Sequence, residues 1–155
     1  MWLTRAFIIC FAGVGWADIP PAMLQAMLKN ADPSVRILAV QALEKLKAPK
    51  TLRALTQALQ DANRWVRQAA VQALGPLDDP EVLPALTQAL KDSNAGVRLA
   101  AVSALDQFSH PKAIPALKEA LKDGVPAVHQ AAQDALDRMG EIQLDRLKLR
   151  QSPTK

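Results

Sequence analysis

The chain has 155 residues, half of them hydrophobic, yet only 4% are aromatic and none is Tyr. Its apolar content is therefore mainly Ala, Leu and Val, which favours helices over sheets, and its length fits one domain. The net charge of +4 comes from 19 basic and 15 acidic residues, an excess too small and too mixed to require a polyanionic partner. A single Cys excludes a disulfide framework within the chain.

The first segment, residues 1–17 (MWLTRAFIICFAGVGWA), differs from the rest of the chain. Arg5 is followed by an uncharged apolar run from Ala6 to Trp16 and then by Ala17. This order is typical of a secretory signal peptide. The run is shorter than the roughly twenty residues that a helix needs to cross a bilayer, so cleavage after Ala17 is favoured over anchoring.

Cleavage would remove Cys10 and Arg5, and the 18 basic and 15 acidic residues that remain would give a net charge of +3. We expect the mature protein to be periplasmic or secreted in a bacterium, with no stable membrane insertion. Other interpretations of residues 1–17 stay open: an uncleaved anchor, or else a misplaced start or a globular segment. A protein whose N-terminus is not a signal would be cytoplasmic.

Residues 18–150 are predicted to form one helical domain that begins with a single helix. In the segment DIPPAMLQAMLKN, Leu24 and Leu28 stand 31 residues before Leu55 and Leu59. The chain is built of 31-residue repeat units, each with two halves. This segment matches the second half of such a unit, and no first half stands between residue 17 and the segment.

A 31-residue period continues without insertion from Asn30 to Met139. Within each half of the unit the apolar positions recur at spacings of three and four, which places them on one face of a helix. Each unit is thus predicted to hold two helices. The repeating positions include Val35, Val66, Val97 and Val128; Ala39, Ala70, Ala101 and Ala132; Leu43, Leu74, Leu105 and Leu136; and Leu55, Leu86 and Leu117.

Turn residues mark where these helices begin. A side-chain oxygen is expected to cap each first helix, and a proline to open each second helix in a turn whose N–H groups lack partners. The caps would be Asp32, Asn63 and Asn94, and the prolines Pro49, Pro80 and Pro111.

The C-terminal unit departs from the pattern, as a last repeat without a neighbour should. His129 replaces the repeating Arg, Val125 the capping Asn, and Gln133 a repeating Val. Leu144 and Leu147 then predict a short final helix that closes the stack. Residues 151–155 are predicted to be a frayed tail.

The pattern DxxxxVR, xxA, xxAL followed by P, xxL, xxL, xxAL resembles the HEAT-like repeats of phycobilisome lyases and of many bacterial scaffold proteins. The resemblance covers about residues 19–140. It implies an all-α fold, an α-solenoid with a right-handed superhelix of about four 31-residue helical hairpins. It also implies a structural ladder in which an Asp in one turn pairs with an Arg of the adjacent repeat. The ladder residues would be Asp61, Asp92 and Asp123 with Arg36, Arg67 and Arg98.

No constellation of catalytic residues is visible, and the sequence predicts that the protein is not an enzyme. His110 and His129 have no Cys or paired carboxylates beside them, so neither a metal nor a cofactor is expected. The family includes iron-binding hydroxylases, but their His-Glu pairs are missing here. A lyase-like protein that handles tetrapyrroles is kept as an alternative, as is a nucleic-acid-binding protein, although the exposed second-helix positions carry no aromatic residue for base stacking.

The favoured function is a protein-protein interaction scaffold or adaptor, a monomer whose concave surface of second helices holds a protein partner of unknown identity. Trp65 is unusual because its position is filled by small residues in the other repeats, and it either packs locally or anchors a partner. The predicted binding residues are Trp65, Arg64, Arg53, Thr56, Gln57, Thr87, Gln88, Lys91, Lys118, Glu119 and Lys122.

Overall fold

The computed structural model describes residues 19–46, 51–77, 79–108 and 110–151. These residues form eight α-helices and one 3-10 helix, Pro111–Ala113, with no strand among them. The all-α solenoid predicted from the sequence is confirmed. The α-helices are α1 (Pro21–Leu28), α2 (Pro33–Leu46), α3 (Thr51–Ala58), α4 (Arg64–Leu74), α5 (Val82–Ala89), α6 (Ala95–Phe108), α7 (Ile114–Ala120) and α8 (Pro126–Gln151).

The helices form three complete pairs, α2 with α3, α4 with α5 and α6 with α7, between the single helices α1 and α8. The lone N-terminal helix is present as the sequence predicts, with Leu24 buried and Leu28 half-buried. The predicted signal peptide over 1–17 and Pro49 lie outside the described residues.

The prediction of a short closing helix around Leu144 and Leu147 is wrong, because α8 continues as one helix from Pro126 to Gln151. Gly140 is the expected weak point, but glycine costs a helix only about 1 kcal/mol relative to alanine. A proline would be needed to break the helix, and none follows Pro126 within α8. The helix includes Gln151, the first residue of the predicted tail, and residues 152–155 lie outside the described part of the chain.

Consecutive side-chain caps start the first helices. The Oδ1 atom of Asp61 accepts a hydrogen bond from the N–H of Asn63 at 2.8 Å, and Asn63 Oδ1 in turn accepts from the N–H of Trp65 at 2.9 Å. The same relay joins Asp92, Asn94 and Gly96 one repeat later. Two N–H groups that a helix start leaves without partners are thereby satisfied in each of these two repeats.

The packing has two unequal layers. Consecutive first helices (α2, α4, α6 and α8) contact one another closely, and each second helix (α1, α3, α5 and α7) packs on the first helix of the next repeat. Fully buried Ala70 and Ala101 keep the first helices close, since a methyl group adds little width. Leu55, Leu86 and Leu117, all inaccessible to solvent, fill the space between the layers. The described helices include none that is long and apolar enough to span a membrane.

The close approach of first helices can be tested at Gly75, which follows α4. A Cβ atom there would lie 3.1 Å from Ala104 Cβ and 3.2 Å from Ala104 Cα in α6. We expect Gly75→Ala to lower the free energy of unfolding by about 1 kcal/mol, because overpacking a tight contact outweighs the entropy gained by removing a glycine. Urea unfolding monitored by circular dichroism measures this change.

Gly140→Ala is the matched control, since a Cβ atom at Gly140 meets nothing within 4 Å. This substitution is expected to stabilise the protein by about 0.5–1 kcal/mol through helix propensity. A Gly75→Ala protein as stable as the Gly140→Ala protein would show that the first-helix layer is not tightly packed at α4 and α6.

Candidate functional site

The structure joins successive repeats through paired hydrogen bonds from an arginine to the aspartate 25 residues later. Arg67 donates from Nε to Asp92 Oδ2 at 2.7 Å and from Nη2 to Asp92 Oδ1 at 2.9 Å. Arg36 bonds Asp61 in the same way at 2.6 and 2.8 Å. Arg98 bonds Asp123 at 2.6 and 3.0 Å. We call these six residues the ladder.

The remaining polar atoms of the ladder are also occupied. Arg67 Nη1 donates to the carbonyl oxygens of Asp61 at 2.9 Å and Ala62 at 3.2 Å, in the turn that begins its own repeat. Each arginine therefore holds its own turn by backbone oxygens and the next turn by a carboxylate. Among the described side chains, no buried nitrogen or oxygen lacks a hydrogen-bond partner. Each side-chain nitrogen and oxygen of the ladder therefore has at least one hydrogen-bond partner.

Arginine pairing lowers the pKa of all three ladder carboxyls. At Asp92 and Asp123 the largest cause is the hydrogen bond from the arginine, with burial opposing it. At Asp61 burial is the largest influence and would raise the pKa. Hydrogen bonds from Arg36 and from the Asn63 N–H, with the charges of Arg36 and Arg67, outweigh burial there, so the pKa of Asp61 is lowered.

The ladder ends at the last repeat. His129 occupies the position of the ladder arginines, and its Nδ1 lies 2.6 Å from the carbonyl oxygen of Leu121. Because a carbonyl only accepts, Nδ1 carries the proton in this contact. His110 instead accepts at Nδ1 from the Lys112 N–H at 3.1 Å and thereby caps the 3-10 helix. In the described part of the chain, no three His, Cys, Asp or Glu side chains are grouped so that they could hold a metal ion.

Nine of the predicted binding residues lie together on what we call the second-helix face, the exposed side of α1, α3, α5 and α7. Seven of them are exposed: Arg53, Gln57, Gln88, Lys91, Lys118, Glu119 and Lys122. Thr56 and Thr87 are half-buried, and their hydroxyls donate to Leu52 O and Leu83 O within their own helices at 2.8 Å. Both threonines keep an acceptor atom but have no free donor for a partner.

Open grooves separate successive second helices. The groove between α1 and α3 has a volume of about 590 Å³ and is lined by Gln25, Arg53 and Gln57. The next, of about 470 Å³, is lined by Gln60, Gln88 and Lys91. A third, of about 210 Å³ between α5 and α7, is lined by Thr87, Glu119 and Lys122. The volumes of the three grooves decrease toward the C-terminus, and ladder aspartates line each of them.

Arg64 and Trp65 do not belong to this surface. Trp65 is 54% exposed in the first turn of α4, and the guanidinium carbon of Arg64 lies 4.6 Å from the centroid of its ring. Gly96, its equivalent in the next repeat, lines a groove of about 290 Å³ between α4 and α6 together with Ser103. The exposed side of α2, α4, α6 and α8 is called the first-helix face, and the predicted site is therefore split between two faces.

Two exposed ion pairs were not predicted from the sequence. Arg138 Nη2 lies 2.7 Å from Asp106 Oδ2 and joins α8 to α6, where the ladder has ended. Lys122 Nζ lies 2.9 Å from Glu119 Oε2 within one turn. Comparison of the repeats did not reveal the first pair, because Gly75 and Gln107 stand in the preceding repeat where Asp106 and Arg138 would have their equivalents.

The ladder predicts a dependence of stability on pH. A carboxyl with a lowered pKa in the folded state contributes stability above its unfolded pKa of about 3.9, and this contribution is lost as the pH falls through the folded pKa. We expect Asp92→Asn to cost about 2 kcal/mol at neutral pH, because the half-buried Arg67 loses its charged acceptor. Its stability should also fall less steeply than that of the unaltered protein below about pH 4.

Thermal unfolding of both proteins between about pH 7 and pH 2 measures this difference. Asp134→Asn is the control, since Asp134 is an exposed carboxylate outside the ladder that accepts from Gln130. It should keep the pH profile of the unaltered protein. Identical profiles for Asp92→Asn and the unaltered protein would show that the ladder carboxylates do not govern acid stability.

Similar solved structures are helical-repeat proteins of several functions. Human deoxyhypusine hydroxylase in complex with glycerol is 24% identical, with a TM-score of 0.68 over 85% of this chain and 47% of that one. Cex1p is 17% identical, with a TM-score of 0.77 over 97% of this chain and 34% of that one. The CpcE and CpcF complex of phycocyanin lyase from Nostoc sp. PCC7120 is 22% identical, with a TM-score of 0.56 over 80% of this chain and 66% of that one.

The chain thus spans between 34% and 66% of the lengths of these three structures, and at such identities the likeness concerns the fold alone. No curated protein matches the chain.

The prediction that this protein is not an enzyme is contradicted by these likenesses. A hydroxylase and a phycocyanin lyase share its fold. The absence of a familiar catalytic motif in a repeat chain therefore gives no ground for excluding catalysis. The fold alone does not make a protein an enzyme either.

The family of HEAT repeats matches residues 20–105 and 83–152, and therefore more than half of the chain. The resemblance to HEAT-like repeats, which was inferred from the positions that recur every 31 residues, is confirmed. The chain belongs to the HEAT-repeat family.

Proposed function

We propose that this protein is a scaffold that binds a protein partner on its second-helix face. The observation that carries this proposal is the row of three grooves between successive second helices, bordered by exposed Arg, Gln and Lys side chains. Repeats of this architecture commonly mediate protein interactions. A surface that recurs at each repeat suits a long partner segment, which can gain affinity from several weak contacts.

The ladder supports the same surface indirectly. Its arginines and aspartates already bond one another and the backbone, so a partner has little to gain from displacing them. Exposed Gln57 and Gln88 are not among the ladder residues that join successive repeats. Their amide groups offer both a donor and an acceptor beside the first two grooves.

Photo-crosslinking distinguishes the two faces. A photoreactive residue at Gln88, on α5, is expected to form an adduct with the partner in cells. The same residue at Ser103, exposed on α6, is the matched control and should form none. Trp65→Ser, also on the first-helix face, should leave the Gln88 adduct unchanged. Adducts formed from Ser103 and not from Gln88 would move the binding surface to the first helices.

We further propose that residues 1–17 direct export and are removed, so that the scaffold acts outside the bacterial cytoplasm. Arg5, the apolar run after it and Ala17 support this proposal. Cell fractionation followed by N-terminal sequencing is expected to find a chain that begins at Asp18 outside the cytoplasm. A chain that begins at Met1 in the cytosol would refute export and leave the scaffold proposal standing.

A further inference from the structure

We propose that the second-helix face binds an extended, acidic peptide segment that crosses the C-terminal ends of the second helices. This inference rests on the proposed function and specifies the chemistry of the partner. Four exposed side chains, which we call the C-terminal row, define the path: Lys29, Gln60, Lys91 and Lys122.

The members of the C-terminal row are structurally equivalent. The backbone N–H of each donates to the carbonyl oxygen three residues earlier, at distances from 2.9 to 3.2 Å, in the turn that ends its helix. Each side chain therefore extends from the equivalent backbone position of its repeat. Gln60, Lys91 and Lys122 also line grooves of the second-helix face. The row thus places three ammonium groups and one amide along a path across all the repeats.

Charge is divided unequally between the two faces. Outside the ladder, the described residues of the second helices and their flanking turns carry six cations and three carboxylates, which leaves three positive charges in excess. These are Lys29, Arg53, Lys91, Lys112, Lys118 and Lys122, with Asp79, Glu81 and Glu119.

Up to Gly140, the first helices and the turn before α2 show the opposite balance, with three cations and five carboxylates outside the ladder among the described residues. These are Lys45, Arg64 and Arg138, with Asp32, Glu44, Asp106, Asp134 and Asp137. Since the whole molecule has mixed charge, this separation makes the second-helix face complementary to an acidic partner.

Repeat spacing favours an extended peptide. Packed helices lie roughly 8–10 Å apart, and a polyproline II segment advances about 3.1 Å per residue with three residues per turn. Every third side chain of such a segment therefore points the same way and meets the next repeat. The polyproline II backbone has no internal hydrogen bonds, and Gln57 and Gln88 can supply donors and acceptors to it.

The same row disfavours a nucleic acid. Phosphates of one DNA strand follow one another about every 3.4 Å along the axis of a duplex, whereas the lysines of the row stand one or two repeats apart. Gln60 interrupts the row, and Glu119 contributes a carboxylate 2.9 Å from Lys122. The described residues of the second helices include no aromatic side chain on which a base could stack.

Fluorescence anisotropy with labelled peptides and the purified full chain tests the inference. The probe is a Pro-rich peptide with glutamates at its first, seventh and tenth positions and Gln at the fourth, to match the row. A peptide of the same composition with adjacent glutamates, a peptide with Lys for Glu, and single-stranded DNA are the comparisons. We expect the spaced acidic peptide to bind about tenfold more tightly than each of these.

Substitutions locate the binding path. Lys91→Glu should weaken binding of the spaced peptide about tenfold, while the same charge change on the other face, Lys45→Glu, should alter it less than about twofold. Gln60→Lys should strengthen binding of a peptide with glutamate at the fourth position. This gain of affinity cannot come from a misfolded variant.

The outcomes separate this inference from the proposed function. Equal binding of spaced and clustered glutamates, or equal effects of Lys91→Glu and Lys45→Glu, would overturn the acidic-peptide inference. Tighter binding of DNA, with a steep loss of affinity as salt rises, would replace it with a nucleic-acid surface. A partner crosslinked at Gln88 through a neutral or basic segment would refute the inference and leave the scaffold intact.

Discussion

The paired hydrogen bonds from a ladder arginine to the aspartate of the next repeat are the interaction on which the rest of the structure depends. Arg67 binds the backbone of its own turn through Nη1 and the carboxylate of the next turn through Nε and Nη2. A planar guanidinium permits little rotation in this geometry. The distance and angle between successive turns are therefore constrained at each repeat, and apolar packing completes the stack around that constraint.

The functional surface follows from how the two layers fill the space that the ladder sets. Alanines such as Ala70 and Ala101 bring first helices into close contact, while the short second helices contact the next first helix more than one another. Grooves remain between second helices, and long polar side chains border them. A partner can bind there without disturbing either the core or the ladder, because those residues are already satisfied.

Prediction from the sequence was accurate for features that recur in every repeat. It failed for features that occur once in the chain. The positions that recur every 31 residues predicted the helix pairs and the caps at Asn63 and Asn94, because helices and caps both depend on neighbours within a few residues. They did not reveal that α8 continues through Gly140 to Gln151, since the other first helices end earlier in their repeats, at Leu46, Leu74 and Phe108. The exclusion of enzymatic function failed for another reason, because it used the absence of motifs as evidence about a fold that enzymes also adopt.

The resemblance of the sequence to HEAT-like repeats indicated the ladder residues. The sequence by itself determined the helical class, the 31-residue unit and the positions that are buried in every repeat, which are consequences of a periodicity that acts locally along each helix. Only the tertiary structure decided that Arg64 and Trp65 lie on a different face from Gln88 and where grooves remain open. Those features depend on distances between helices, which the packing of all the repeats fixes together.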